Sequence, residues 1–244
     1  MSVLSLLLDN LPSGWMVENI YVGANWVLSC ISYNGERRAG LASSPVESPV
    51  DFSADVLALE MAQRVLSSHP LYAAVGLATL NALLQPDESA LTDMDAADWL
   101  VQNGAGRNIA IVGRFPFIAD ELAPVARKIW TFERDPEPGE YVESDMPHIL
   151  PDAEIIAITS STLINHTIDD VLAYVPPQSV VMLLGPSTPL STDLFVYGID
   201  LLSGVQVIDI PMALQSVQAG VSFRQMQGLR RVTLCNRDRV NCNG

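Results

Sequence analysis

Hydroxyl side chains follow two apolar runs in the middle of the chain. Thr159 and Ser160 come directly after residues 155–158, and Ser187 and Thr188 come shortly after residues 180–184. Unbroken apolar runs of this length are typical of strands in a parallel sheet that is covered on both faces. Open α/β sheets bind ligands at the carboxyl edge of such strands. The four hydroxyl residues are therefore predicted to lie at one ligand site.

Two interpretations of these hydroxyl segments stay open. Hydroxyls and backbone N–H groups at the start of a helix can hold an anion, but Ser and Thr also cap helices in proteins of every kind. Asn165 and His166 lie at the mouth of the helix predicted over residues 164–174, which makes Asn165 a further ligand candidate. His166 could act as a base or metal ligand, or could simply be exposed.

A second pair of candidates comes from the strands before these segments. Gly113 ends the strand predicted over residues 108–112, and Glu133 lies 20 residues further on, at the end of the next strand. In dinucleotide-binding folds an acidic residue at that position holds ribose hydroxyls. The loop after Gly113 has Arg114 and then Phe115 instead of a glycine-rich turn, which disfavours NAD but remains compatible with a smaller adenosyl-type ligand. Arg114 could clamp an anion or pair with Glu133 or another loop carboxylate.

Three residues complete the predicted cleft. Asp209 ends the last predicted strand and could be a base, a metal ligand or a helix cap. Asn25 and Ser43, from the amino-terminal part of the chain, are expected to close the cleft over the sheet edge. Two helix starts and Arg114 together predict a preference for an anion, and Glu133 adds a preference for a ligand that carries a diol.

The sequence contains none of the common metal or nucleotide motifs. H-x-x-x-H, C-x-x-C, a Walker loop and a G-x-S-x-G elbow are all missing. The cysteines at 30, 235 and 242 are odd in number and widely spaced, which predicts free thiols and a cytoplasmic location. Any bound transition metal is expected to be held by an organic chelate or by oxygen and nitrogen groups, not by Cys235 and Cys242.

The order of apolar segments predicts an α/β protein with two modules. Residues 1–92 have the hairpin and helix signals of a small α+β module, which includes a buried helix that begins at Pro70 and contains Asn81. Residues 93–234 alternate between strands and helices, a pattern that indicates a doubly wound, mainly parallel sheet. Residues 235–244 are predicted to be a frayed polar tail.

Composition limits the classes of partner. The chain has 244 residues, a net charge of −15 and 49% hydrophobic residues. This acidic balance argues against nucleic-acid binding, and no apolar run reaches the ~20 residues that a membrane helix needs. Five arginines and a single acidic residue fall within residues 211–244, either to hold an anion or to pair with the acidic body. A homodimer stays open.

Four sequence segments carry a resemblance to a known family. They are GLATLNAL at 76–83, VGRFPF at 112–117, TSSTLINHTIDDVL at 159–172 and LLGPSTPL at 183–190. Together they resemble the "Putative heavy-metal chelation" family, in which a glycine is common where this chain has His166. The resemblance implies an enolase-N-terminal-like module joined to a Rossmann-like domain, with a ligand cleft between them.

The function that follows from the residues and the resemblance has two forms. The first is a ligand-handling protein or enzyme that acts on a small anionic molecule or a metal chelate. The alternative is a non-catalytic binding protein for a nucleoside-containing ligand, such as an S-adenosyl compound.

Overall fold

The amino-terminal part of the chain folds into a small antiparallel sheet packed against helices. The computed structural model describes residues 1–46, 50–52, 56–84 and 86–242. Its first sheet has the strand order β3-β2-β1-β4, with β1 Met16–Val22, β2 Trp26–Tyr33, β3 Glu36–Ser43 and β4 Val50–Phe52. The helices of this part are α1 Val3–Asp9, α2 Ala58–Ala62 and α3 Pro70–Leu83, with a 3₁₀ turn at Gln63–Leu66. The sequence also predicts a helix cap at Ser53, and that residue lies outside the described residues.

The rest of the chain forms a seven-stranded, mainly parallel sheet of order β5-β11-β10-β9-β8-β6-β7. The parallel strands are β6 Asn108–Val112, β7 Lys128–Phe132, β8 Ile155–Thr159, β9 Val180–Leu184 and β10 Leu201–Val207. The antiparallel strands are β5 Leu91–Thr92 and β11 Leu229–Cys235. The helices are α4 Ala96–Gly104, α5 Pro116–Leu122, α6 Met146–Ile149, α7 Ser161–Ile164, α8 Ile168–Leu172 and α9 Ile210–Gln218. Among the described residues, none of these helices has the length and apolar character needed to cross a membrane.

The two faces of the large sheet contact different partners. Alternate residues of a strand point to opposite faces, so Ala110 and Val112 of β6 belong to a core that also contains Leu77 of α3. Ile109 and Ile111 belong to a second core with residues of α4 and α5 such as Leu100 and Leu122. The amino-terminal module therefore packs directly on one face of the sheet and fixes the position of its carboxyl edge.

Two elements differ from the sequence-based expectation. The helix predicted over residues 164–174 begins only at Ile168, as α8, and Ile164 instead ends α7, because the left-handed φ of 64° at His166 interrupts a right-handed helix. The arginine-rich segment contains β11, which lies between β5 and β10. Its Arg230 pairs with Glu88 and Asp93, each at 2.9 Å, in agreement with the expected pairing to the acidic body.

Residues 235–242 do not form a frayed tail, and Cys235 and Cys242 are not free. Cys235 and Cys242 form a disulfide, and Cys30 is a free, buried thiol. Val240 is buried in the same core as α4, and the Trp99 indole N–H donates to the Asn241 carbonyl at 3.0 Å. The widely spaced cysteines gave no sign of this bridge, because it depends on a turn that returns the chain to the end of β11.

Candidate functional site

The order in which the chain adds strands to the sheet reverses at β6. This reversal leaves a crevice at the carboxyl edge of the sheet. From β6 the chain moves to β7 on one side, and it later returns to β8 on the other side of β6. Ligands of open α/β sheets bind outside the carboxyl ends of the strands at such a switch point. The loops that follow β6, β7 and β8 therefore form the first place to look for a site.

Two glycines allow the loops at this edge to approach β8 closely. Gly113 has a φ of 100° and Gly185 a φ of 125°, a region that side chains disfavour. A Cβ atom on Gly113 would lie 2.5 Å from Thr159 Cγ2, and one on Gly185 would lie 2.7 Å from Ser160 Oγ. Both positions thus require glycine for conformation and for space, and both hold a loop against the end of β8.

A cavity of about 580 Å³ opens at this switch point. We call it the switch-point cavity, and its lining includes Arg114, Glu133, Thr159 and Asn165 of the predicted set. The lining residues that the sequence reasoning missed include Arg134, Glu143 and Thr167. Glu143 belongs to the acidic segment 135–145, and its charge was the signal that could have found it.

Arg114 is surrounded by carboxylates. Its guanidinium lies 2.9 Å from Glu140, 3.1 Å from Glu137 and 3.9 Å from Glu133. The hydrogen bond to Glu140 is the main reason why the pKa of Arg114 is raised. The pKa of Glu140 is lowered, first by the Glu137 backbone N–H and then by Arg114. Of the two alternatives for Arg114, the structure contains the pairing with loop carboxylates.

The hydroxyl and amide groups beside β8 are tied to their own loop. Asn165 Oδ1 accepts hydrogen bonds from the Thr167 backbone N–H at 3.1 Å and from Thr167 Oγ1 at 2.7 Å. Thr162 Oγ1 donates to the Thr159 carbonyl at 2.7 Å. These bonds hold the Asn165 side chain in a fixed position on the cavity wall.

The hydroxyl segment after β9 has a different role from the one expected. No helix begins at Ser187 and Thr188; the chain continues irregularly to a 3₁₀ turn at Thr192–Tyr197. The expectation of a second helix start is therefore wrong, since Pro189 and Leu190 continue the loop. Ser187 is fully buried at the contact between the modules, where its Oγ accepts from the Ser43 backbone N–H at 2.8 Å and donates to Ser43 Oγ at 3.1 Å.

The remaining predicted residues lie outside the switch-point cavity. Ser160 is 2% exposed beneath Gly185, and Thr188 is equally buried beside a second, smaller cavity between the modules. Asp209 Oδ1 accepts from the Met212 N–H at 2.9 Å and caps α9, and Asn25 Nδ2 donates to the Gly220 carbonyl at 2.7 Å. The structure thus distributes the predicted set between the switch-point cavity, the module contact and structural caps.

A third cavity, of about 760 Å³, lies on the other side of Arg114. Phe115, Ile118 and Phe223 contribute apolar surface to it. Over the described ranges, no group of three His, Cys, Asp or Glu side chains is placed to hold a metal ion.

Comparison with known families covers most of the chain. A family model described as "Putative heavy-metal chelation" matches residues 95–236, more than half of the chain, and a second model with the same description matches residues 4–84. The chain belongs to this family. The resemblance of the four sequence segments is thereby confirmed.

Two solved structures share the fold of this chelation-family chain. A protein of unknown function from Desulfitobacterium hafniense superposes with a TM-score of 0.79 at 22% identity, over 96% of this chain and 97% of that one. One from Pyrococcus horikoshii gives a TM-score of 0.81 at 20% identity, over 96% and 100%. An uncharacterized protein of Methanocaldococcus jannaschii is 26% identical over 160 residues, which are 63% of this chain and 62% of that relative. The chain thus spans less than two thirds of that relative's length.

The backbone at His166 has a conformation that suits glycine better than other residues. The φ of 64° lies in the left-handed region, which glycine enters without a steric penalty and other residues enter at a cost. In this chain the His166 ring makes a hydrogen bond of 2.7 Å between its Nε2 and the Val65 carbonyl. Val65 belongs to the amino-terminal module, so the histidine connects the two modules.

Proposed function

We propose that the protein binds a diol-bearing small molecule in the switch-point cavity, and that the ligand is neutral or positively charged. The position of Glu133 carries this proposal. Its carboxylate lines the cavity at the end of β7, and its side chain is only 19% exposed. In nucleotide-binding sheets, a carboxylate at the end of the second strand accepts hydrogen bonds from the ribose hydroxyls. A nucleoside-containing ligand is the class that fits this group best.

The charges around the cavity favour a neutral or cationic ligand over the anion that the sequence suggested. Arg114 and Arg134 contribute two positive charges, whereas the cavity and the partners of Arg114 contribute four carboxylates, Glu133, Glu137, Glu140 and Glu143. An anion would have to displace Glu140 from Arg114 before the guanidinium could bind it. An S-adenosyl compound combines a ribose diol with a sulfonium cation and so matches both features.

A metal chelate is the second candidate, and the same excess of carboxylates favours it. A chelate with a net positive charge would be attracted to the cavity, while its organic part supplied the metal ligands. This candidate also agrees with the description of the family, which names heavy-metal chelation without naming a metal or a chelator.

Thermal shift and calorimetry with a small panel test the proposal. The panel contains adenosine, S-adenosylmethionine, adenosine monophosphate and a cationic nickel chelate. We expect the first two to raise the Tm, because a ligand that binds only the folded state stabilises it. Glu133→Gln should weaken their binding by about 1.5–3 kcal/mol, the scale of a hydrogen bond to a charged group.

Glu137→Gln is the matched control, because Glu137 pairs with Arg114 but does not line the cavity. It removes the same charge and should leave adenosine binding nearly unchanged. Tighter binding of the monophosphate than of adenosine, together with its loss in Arg114→Ala, would restore the anion hypothesis. If the nickel chelate alone binds, the second candidate replaces the first, and a panel without any binding would contradict both.

A further inference from the structure

The cavity of about 760 Å³ beside Arg114 is larger than the switch-point cavity, and the proposed function leaves it unused. We call it the α5 cavity, because Ile118 and Glu121 of α5 line it. Its volume falls within the range of about 300–1,000 Å³ that is typical of small-molecule sites. Among the described residues, Arg114 alone lines both cavities.

Apolar side chains on two sides of the α5 cavity remain partly accessible. Phe115 directly precedes α5, Ile118 lies within it, and Phe223 comes from the segment after α9. All three are half-buried, so each keeps part of its side chain open to a ligand. Aromatic and aliphatic surface of this kind favours a ligand with an apolar ring, because the contact removes apolar area from water.

Two carboxylates of the same cavity lack a cationic partner. Asp98, in the first turn of α4, and Glu121 are both exposed, and neither forms an ion pair with a described residue. Ile118 and Glu121 are one turn apart on α5 and so lie on the same side of that helix. The apolar surface of α5 therefore has an unpaired negative charge at its edge.

The other acidic residues of the cavity have partners. Asp93 lies 2.9 Å from Arg230, and Asp95 Oδ1 accepts from the Ala97 N–H at 2.8 Å, which caps α4. Asp98 and Glu121 are thus the carboxylates that a ligand can pair with without breaking an existing contact.

The arginines of the cavity leave the α5 side negative. Arg114 is paired with Glu140 and Glu137, neither of which lines the cavity. Arg231 lies with its guanidinium carbon 4.8 Å from the centre of the Phe223 ring. It belongs to β11, which β10, β9 and β8 separate from β6, the strand that precedes α5.

We propose that the α5 cavity binds a small aryl-alkyl amine in its protonated form. The ring packs on Phe115 and Ile118, and the ammonium group lies beside Glu121 and Asp98. The net charge of −15 also attracts a cation over longer distances. An amine of this class supplies both the ring that suits the apolar surface and the positive charge that the two carboxylates lack.

The test compares three compounds by ligand-observed NMR on the full chain. They are 2-phenylethylamine, 2-phenylethanol, which keeps the ring without the charge, and propylamine, which keeps the charge without the ring. We expect saturable binding of 2-phenylethylamine. Binding of 2-phenylethanol should be about threefold weaker, the scale of one exposed ion pair, and binding of propylamine about tenfold weaker, because no ring is buried. Equal binding of either comparison compound would overturn the proposal, and so would the lack of saturable binding of 2-phenylethylamine.

Two double variants separate local pairing from the general attraction of an acidic protein. Asp98→Asn with Glu121→Gln removes the two carboxylates of the cavity, and it should weaken 2-phenylethylamine binding about threefold. Asp120→Asn with Asp170→Asn removes the same charge from two exposed positions that do not line the cavity. This control should leave the affinity nearly unchanged, and an equal effect of the two double variants would contradict the proposal.

Glu133→Gln distinguishes this site from that of the proposed function. Glu133 lines the switch-point cavity and not the α5 cavity, so the variant should leave 2-phenylethylamine binding unchanged. Loss of that binding in Glu133→Gln would place the amine in the switch-point cavity and overturn the proposal. The measurement contains no nucleoside or chelate, so a failure of the proposed function does not alter its outcome.

Discussion

Asp200 is a fully buried carboxylate at the start of β10. Its Oδ2 accepts from the Val181 N–H at 3.0 Å, and its Oδ1 lies 3.0 Å from Arg239 Nε in the carboxyl-terminal segment. Burial raises the pKa of Asp200, and the Val181 hydrogen bond and Arg239 oppose that rise. Burial alone would favour the protonated form of Asp200. The Val181 N–H and Arg239 therefore help to keep this interior carboxylate charged.

Replacement of Arg239 should make stability strongly dependent on pH. Without the guanidinium, the folded-state pKa of Asp200 rises further above its unfolded value. The buried, charged form of Asp200 then lowers the free energy of unfolding. This loss is absent below the pKa that Asp200 has in the unfolded chain, and it grows as the pH rises from that value toward neutrality. We expect Arg239→Ala to cost about 2–3 kcal/mol at pH 7, less than for a fully buried pair because Arg239 is 37% exposed, and little at pH 4.

Urea denaturation at several pH values measures this effect. Arg237→Ala is the control, since Arg237 carries the same charge in the same segment but contacts the Ser89 carbonyl at 3.4 Å. Adding Asp200→Asn to Arg239→Ala should remove the pH dependence. A loss of stability that is the same at pH 4 and pH 7 would show that Arg239 acts through packing and its hydrogen bonds to the Pro177 and Ser179 carbonyls, and not through Asp200.

Helix α3 is the element on which the amino-terminal module is assembled. A Cβ atom on Gly76 would collide with the backbone of Val65 and Arg64, and one on Gly40 of β3 would collide with the backbone of α3 at Ala78. Both glycines therefore allow backbone segments to touch without an intervening side chain. Gly76 and the alanines of α3 are small residues that permit this close packing.

Gly76→Ala should destabilise the protein by about 2–3 kcal/mol, because backbone atoms cannot move aside as cheaply as side chains. Gly104→Ala in α4 is the matched control. Its Cβ would meet mainly the ends of the flexible Ile109 and Leu122 side chains, and alanine favours helix, so the two effects nearly cancel. Urea midpoints of the two variants provide the comparison, and equal midpoints would refute the packing argument.

The two modules share one hydrophobic core. Leu77 and Leu80 of α3 belong to the same cluster of buried residues as Ile156 and Ile158 of β8. Hydrogen bonds cross the same contact, from Asn81 to Ser187 and between His166 and Val65. Separation of the modules would expose the apolar part of the large sheet that α3 covers.

We therefore expect the chain to unfold as a single cooperative unit. Differential scanning calorimetry should give one transition whose van't Hoff and calorimetric enthalpies agree. Residues 93–244 expressed alone should aggregate or remain unfolded, because the apolar face of the sheet would lack its cover. A dispersed NMR spectrum from that fragment would contradict the expectation.

A cytoplasmic location and the lack of a nucleic-acid partner stay predictions, and a homodimer stays an open alternative.

The sequence alone determined the features that depend on local pattern. Unbroken apolar runs predicted the parallel pairing of β8 with β9, since strands covered on both faces tolerate few polar residues. Pro70 and the apolar stretch after it gave α3, which begins at Pro70. The spacing of Gly113 and Glu133 placed both residues at the ends of neighbouring strands, because strand lengths are regular.

Only the tertiary structure decided which groups meet. The glutamates around Arg114 arrive from the loop after β7, and periodicity does not encode that contact. Ser187 proved to join the modules because the amino-terminal sheet lies against it, and β11 joined the sheet as the antiparallel neighbour of β10. Each outcome depends on residues far apart in the chain, whose approach is set by the packing of whole elements rather than by the local sequence.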